Sequence, residues 1–109
     1  VKEKQIENQI LAWLRCKRIF AWQNHSVGLY DAKKGIFRKS FNRYHINGVS
    51  DILGVMHDGR ILCIEVKSEK GRLSGHQREF LQTIADNGGI AIVARSVQDV
   101  ERVLGAEAA

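Results

Sequence analysis

Gly48 to Lys67, GVSDILGVMHDGRILCIEVK, holds two apolar runs of strand length, Leu53 to Met56 and Ile61 to Val66, with Asp58-Gly59 between them. Asp-Gly flanked by such runs predicts a β-hairpin. Neither run alternates cleanly with polar residues, so both faces of the sheet are expected to be covered. Asp51 stands at the hairpin's entry, Glu65 and Lys67 at its exit. Register decides whether the acids meet. A two-residue turn would pair His57 with Arg60 and Asp51 with Val66, leaving Asp51 and Glu65 on opposite faces. A three-residue loop, His57-Asp58-Gly59 with Gly59 left-handed in a bulge, pairs Met56 with Arg60 and sets Asp51 opposite Glu65. Their Cβ atoms then lie about 4.5 to 5.5 Å apart, and Lys67 joins the same face. Carboxylates this close repel unless a proton or a cation separates them, and oxygen ligands at such spacing suit Mg²⁺ or Mn²⁺. The same residues also read as strand ends in solvent, with no shared ligand.

Asp51, fourteen residues before Glu65-Val66-Lys67, resembles the PD-(D/E)XK nuclease signature. Gly48-Val49-Ser50-Asp51, followed by Leu73-Ser74-Gly75-His76-Gln77, is similar to its virus-type replication-repair (VRR-Nuc) branch, and the similarity covers nearly the whole chain. Ser50 departs from the proline that usually precedes the aspartate there; proline would stiffen the entry to the strand and is not a ligand. The resemblance implies an α/β, restriction-endonuclease-like fold with an αβββαβ core, a mixed sheet flanked by helices, and here an extra C-terminal helix, all in one domain over residues 1–109. It also implies a metal-dependent endonuclease that hydrolyses DNA phosphodiesters. Asp51, Glu65 and the backbone carbonyl of Val66 would hold Mg²⁺ or Mn²⁺, with Lys67 stabilising charge and orienting water.

Composition fits one globular unit with a basic surface. Hydrophobic residues make up 44% and charged residues 27%, ordinary values for a packed domain. Seventeen Lys and Arg against twelve Asp and Glu leave a net charge of +5 and a pI near 9.5, which favours a polyanionic partner. Cys16 and Cys63 lack CxxC spacing and are expected to be buried free thiols in a reducing compartment. No apolar run reaches membrane-spanning length and no signal peptide is evident, so an intracellular location, in the cytoplasm or with the nucleoid, is expected.

Residues 3 to 17 carry helical spacing, with Ile6, Ile10, Trp13 and Leu14 on one face. Glu7 falls at the edge of that arc, and Glu3 lies one turn earlier. Acids are favoured at a helix N-terminus on their own account. The family resemblance implies instead that a helical glutamate reaches the metal through water, Glu7 being the better match and Glu3 the second. Ile19 to Gln23 alternates and predicts the first strand. From Asn24 to Asn47 no period survives, a length that a plain connection does not need. Lys33, Lys34, Arg38, Lys39 and Arg43 are interleaved there with Tyr30, Phe37, Phe41 and Tyr44, so a DNA-gripping hairpin or loop is expected. The aromatics are expected rather to pack back on the domain, leaving the lysines and arginines to meet the DNA.

After Lys67 a polar connection carries Lys70 and Arg72, two further candidate DNA contacts. Ser74 and Gln77 form a capping box, and Gln77 heads the stripe Gln77, Phe80, Leu81, Ile84 that faces the sheet. Gln77 can therefore cap the helix, reach the carboxylates, or both; the resemblance implies that it orders a water or a phosphate. Asn87-Gly88-Gly89 stops the helix. Ile90 to Ala94 predicts a strand parallel to the hairpin's second strand, and Ser96 is expected to cap a last helix with Val97, Val100, Val103 and Leu104 inward. His25, His45, His57 and His76 lack zinc spacing and are expected on the surface or in loops. One chain offers one acid pair, whereas resolving a four-way junction takes two symmetric cuts; a homodimer acting on branched DNA is the expectation. A monomeric nickase or flap nuclease, or an inactive DNA-binding module on the same fold, are the alternatives.

Overall fold

The computed structural model describes residues 2–24, 29–31, 36–38 and 43–105. In chain order the elements are α1 (Glu3–Cys16), β1 (Phe20–Gln23), β2 (Leu29–Asp31), β3 (Ile36–Arg38), β4 (Ile52–Val55), β5 (Ile61–Val66), α2 (Gly75–Asp86), β6 (Ile90–Ala94) and α3 (Val97–Leu104). β1, β4, β5 and β6 form a mixed sheet in that order, while β2 and β3 pair as a separate hairpin between β1 and β4. Setting the hairpin aside leaves the αβββαβ core and an extra C-terminal helix, as expected. β6 runs parallel to β5, reached through α2. Among the described residues no helix is long and apolar enough to cross a membrane.

Two periodicities build the core. Ile6, Ile10 and Leu14 recur every four residues on α1 and are buried, forming one stripe of the helix. They meet Ile52, Leu62, Ile64, Val66, Ile92 and Ala94, the alternate positions that β4, β5 and β6 turn to that face, together with Val100 and Leu104 of α3. Each such aliphatic side chain stabilises by about 1.5 to 3 kcal/mol when fully buried. β5 is buried from Leu62 to Val66, because α2 covers its other face.

Coverage of that second face is incomplete, contrary to expectation. A helix is about 10 to 12 Å across and strands lie about 4.8 Å apart, so one helix covers roughly two strands. α2 lies over β5 and β6, and Phe20, Trp22, Val55 and Ile61 remain exposed. Cys16 is also exposed, while Cys63 is buried. Cys16 stands six residues beyond Ile10, about 120° round the helix from the buried stripe. Burial pushes the Cys63 thiol up to about 11. Val103, expected inward, is exposed, since its step from Leu104 carries it to the flank of α3. Ser96 occupies the N-cap of α3 without a side-chain hydrogen bond; Asp99 Oδ2 accepts from the Arg95 N–H instead, at 2.8 Å. His45, His57 and His76 are exposed as expected, and His25 lies outside the described residues.

The hairpin turns through three residues. Met56 N–H donates to the Arg60 carbonyl at 2.8 Å, Gly59 N–H donates to the Met56 carbonyl at 2.9 Å, and Gly59 has φ +92°. The Asp58 carboxylate accepts from the Arg60 N–H at 3.1 Å, a bond that holds its carboxyl below the usual range. Ile52 pairs with Ile64 and Leu53 with Cys63, so the next pair outward is Asp51 and Glu65.

Two glycines separate conformational strain from steric strain. Gly59 has open space where a Cβ would stand, whereas a Cβ on Gly48 (φ +76°) would lie 2.4 Å from the His76 carbonyl carbon and 2.6 Å from the Gln77 nitrogen. Gly59→Ala is therefore expected to cost about 1 to 2 kcal/mol from its left-handed backbone alone. Gly48→Ala is expected to cost at least about 1 kcal/mol more, from overpacking against α2. Urea denaturation of the two variants checks the order, and equal losses would contradict the contact between the Gly48 turn and α2.

Candidate active site

The hairpin register brings the two acids together on one face. Asp51 Oδ2 accepts from the Val66 N–H at 2.8 Å, which fixes the aspartate against the strand that bears Glu65. Glu65 is 2% exposed, and its Oε2 is buried with no hydrogen-bond partner. Burial, then the facing charge of Asp51, pushes the Glu65 carboxyl up to about 8, against a smaller opposing pull from Lys67. Lys67 Nζ stands 3.9 Å from Glu65 Oε1. A buried carboxylate in this setting has two ways to be satisfied, a proton or a cation.

Gln77 does both things foreseen for it. Its backbone N–H donates to Ser74 Oγ at 3.1 Å, and its Oε1 accepts from the Ser74 N–H at 2.9 Å, closing the capping box of α2. With the amide oxygen held by the cap, Nε2 donates to Glu65 Oε1 at 2.8 Å. Glutamate would also serve a capping box, but it would set a third carboxylate on Glu65.

α1 and the loop after Lys67 close the other side. Glu3 Oε2 accepts from the Ser68 N–H at 3.2 Å. Glu7 is nearly buried, with Lys4 Nζ 3.8 Å from its carboxylate. Neither makes a third acid with Asp51 and Glu65: among the described residues no group of three or more His, Cys, Asp or Glu is placed to hold a metal. Arg95, at the end of β6, went unnoticed in the sequence. Its Nη1 donates to the carbonyls of Ser68 and Gly71, the latter at 2.7 Å, and so fixes the loop that leaves Lys67. No spacing rule points to it, because its partners are backbone atoms of a distant loop.

The cationic candidates fall in three places. Lys70 and Arg72 are exposed on the loop beside Lys67, and Arg43 is exposed ahead of the Gly48 turn. Arg38 lies in β3 opposite Leu29. Lys33, Lys34, Lys39 and Phe41 lie outside the described residues. Tyr44 is 80% exposed.

An acid pair on a hairpin, an E-x-K strand end and a glutamine from the following helix, on a mixed sheet flanked by helices, define a nuclease of the PD-(D/E)XK type. The model of the VRR-NUC domain matches residues 1–98, and the chain belongs to that family. A nuclease domain of this family implies a DNA substrate. No curated protein and no solved structure matches the chain.

The raised Glu65 carboxyl makes the metal-free protein pH-sensitive. Its value is about 8 in the fold against a reference near 4.5, so between those limits the folded state keeps a proton that the unfolded chain has released. Stability in EDTA is expected to fall as pH rises through that window, by up to about 1.4 kcal/mol per unit, and to level off above it. Glu65→Gln should remove this decline and be the more stable form at the alkaline end. Urea melts at both ends of the window measure it; an unchanged decline in Glu65→Gln would place the titrating group elsewhere.

Proposed function

We propose that this chain is a divalent-metal-dependent endodeoxyribonuclease that cuts branched DNA such as four-way junctions, as a homodimer in which residues 1–109 form one nuclease domain. The observation that carries the proposal is Asp51 set opposite Glu65, with Glu65 Oε2 buried and unpartnered. Two hard carboxylates with an unspent oxygen fit Mg²⁺ or Mn²⁺. Asp51, Glu65 and the Val66 carbonyl would hold the ion, which when bound polarises the phosphate and acidifies water.

The remaining roles belong to the chain's own side chains. Gln77 Nε2 orients the Glu65 carboxylate. Lys67, 3.9 Å from Glu65, faces the charge that develops on the phosphate. Glu7 holds a water from the α1 side, and Glu3, tied to the Ser68 N–H, steadies the loop that follows Lys67. Lys33, Lys34, Arg38, Lys39, Arg43, Lys70 and Arg72 neutralise phosphates of the bound DNA. One acid pair per chain suits the homodimer, since two-fold pairing provides the two symmetric cuts. An intracellular site of action fits a DNA substrate.

Incubation with linear, flap and four-way junction DNA, in Mg²⁺ and in EDTA, tests the proposal. Cleavage is expected only with the ion, and Asp51→Asn is expected to abolish it while DNA binding stays intact or tightens. Wild-type rates from Asp51→Asn in Mg²⁺ would refute the shared metal site. A protein that light scattering finds monomeric and that only nicks a cruciform plasmid would remove the homodimer and keep the nuclease.

Neutralising Lys33, Lys34, Arg38 and Lys39 together should weaken binding to all sequences alike. Every phosphate that the variant no longer neutralises should flatten the log–log salt dependence by about 0.9. An unchanged slope would mean that these residues do not touch DNA.

A further inference from the structure

The proposed chemistry leaves unused the far half of the sheet face that bears the acids. Register arranges that face in rows: Asn24 beside Asp51 beside Glu65, then Trp22, Leu53 and Cys63, then Phe20, Val55 and Ile61. Phe20 is 70% exposed and Trp22 42%, and their ring centroids stand 5.3 Å apart with the planes tilted by 50°. Along the free edge of β1, where α1 approaches from the opposite face, runs a groove of about 950 Å³ lined by these rings and by Arg15, Cys16 and Arg18. Both arginines are exposed, and among the described residues neither is in an ion pair. Arg18 sits at φ +58°, a backbone that costs a non-glycine residue about 1 to 2 kcal/mol. His57 Nε2 donates to its carbonyl at 2.9 Å, so the hairpin tip supports the turn that brings this guanidinium to the groove.

We propose that Phe20 and Trp22 are a stacking platform for unpaired nucleobases of the DNA strand that runs from the acid pair, with Arg18, at the edge of β1, on its phosphates. Aromatic rings stack on any base, and a cationic rim follows the backbone, the combination that single-strand binding requires. Trp22 lies one strand across and two residues along from Asp51, about 8 Å between Cα atoms, within reach of the nucleotide that flanks the one at the carboxylates. A second copy of the chain is the rival occupant. Two-fold pairing through this patch would bring two cationic rims into one interface on a chain of net charge +5, like charge against like; a polyanion matches rings and rim together. The platform rests on Asp51 and Glu65 as the cleavage site and adds that the substrate is unpaired beside the cut.

The test is anisotropy in EDTA with a labelled short oligo-dT and with a blunt duplex. Wild type, Phe20→Ala/Trp22→Ala and Phe20→Tyr/Trp22→Phe are compared, with light scattering alongside. The alanine pair should weaken oligo-dT binding by at least about tenfold and duplex binding by less than about twofold, and the aromatic pair should restore it. Wild-type oligo-dT affinity in the alanine pair overturns the platform, and if that pair also splits a wild-type dimer the surface belongs to a second copy. Should the alanine pair melt early, Trp22→Leu, which keeps the apolar bulk, is judged by the same criterion. The nuclease proposal fails separately: ring-dependent oligo-dT binding without cleavage of any DNA in Mg²⁺ or Mn²⁺ keeps the platform and removes the cleavage site.

Discussion

A carboxylate buried in the middle of a sheet is the constraint around which this protein is arranged. Isolated ionised groups are very costly to move out of water, and a buried pair of like charges is worse. Glu65 is nonetheless 2% exposed and faces Asp51. Its immediate neighbours each ease the conflict. Gln77 gives one hydrogen bond, Lys67 a nearby positive charge, and the Val66 N–H draws one Asp51 oxygen onto the strand. One oxygen of Glu65 remains unsatisfied. The aliphatic core on the other face of β5 supplies the stability that tolerates this local misfit, and misfits of this kind mark functional sites.

Helix capping and the site are one network. The capping box fixes the amide of Gln77 from its oxygen side, so its nitrogen side is aimed at Glu65 without any residue dedicated to aiming it. The Gly48 turn, just ahead of Asp51, leaves no room for a Cβ against the same turn of α2. Asp51, Gln77 and Glu65 are therefore positioned by one contact between a strand entry and a helix start. Arg95 holds the exit from β5 in the same way, through the carbonyls of Ser68 and Gly71.

What the sequence made legible was local. The Asp58-Gly59 turn, the register that follows from it and the Ser74–Gln77 box rest on neighbours a few residues apart, the parallel β6 follows from the single helix that joins it to β5, and all are present in the structure. Cys16 was legible too, since counting round α1 from Ile10 places it off the stripe; its place inside a helix says nothing of its phase. The links from Glu3 to Ser68 and from Arg95 to the Ser68–Gly71 loop were not legible. Their acceptors and donors include backbone atoms, which every residue carries, so no residue type announces them. The open half of the sheet depended on how many strands one helix can cover, a matter of tertiary width that the pattern of β4 and β5 does not carry. The β2–β3 hairpin lies in a segment without alternation, and only its basic and aromatic content set it apart.

The uneven cover of the sheet explains how one face serves two opposed requirements. α1 and α3 together cover one face, whereas α2 alone covers part of the other, and its first turn ends at the acid pair. Burial therefore changes across the face: Glu65 and Cys63 are buried, Asp51 and Leu53 are half-buried, and Trp22 and Phe20 are exposed. Charge interactions are strong where water is excluded, which favours tight use of the acids. A polyanionic substrate needs open surface, since its phosphates keep their hydration until cations replace it. At the border of α2 the acids have the first environment and a bound strand would keep the second. A helix moved outward to cover β1 and β4 would bury the rings but close the approach to Asp51, so the incomplete layer is the arrangement that a buried acid and a large substrate jointly require.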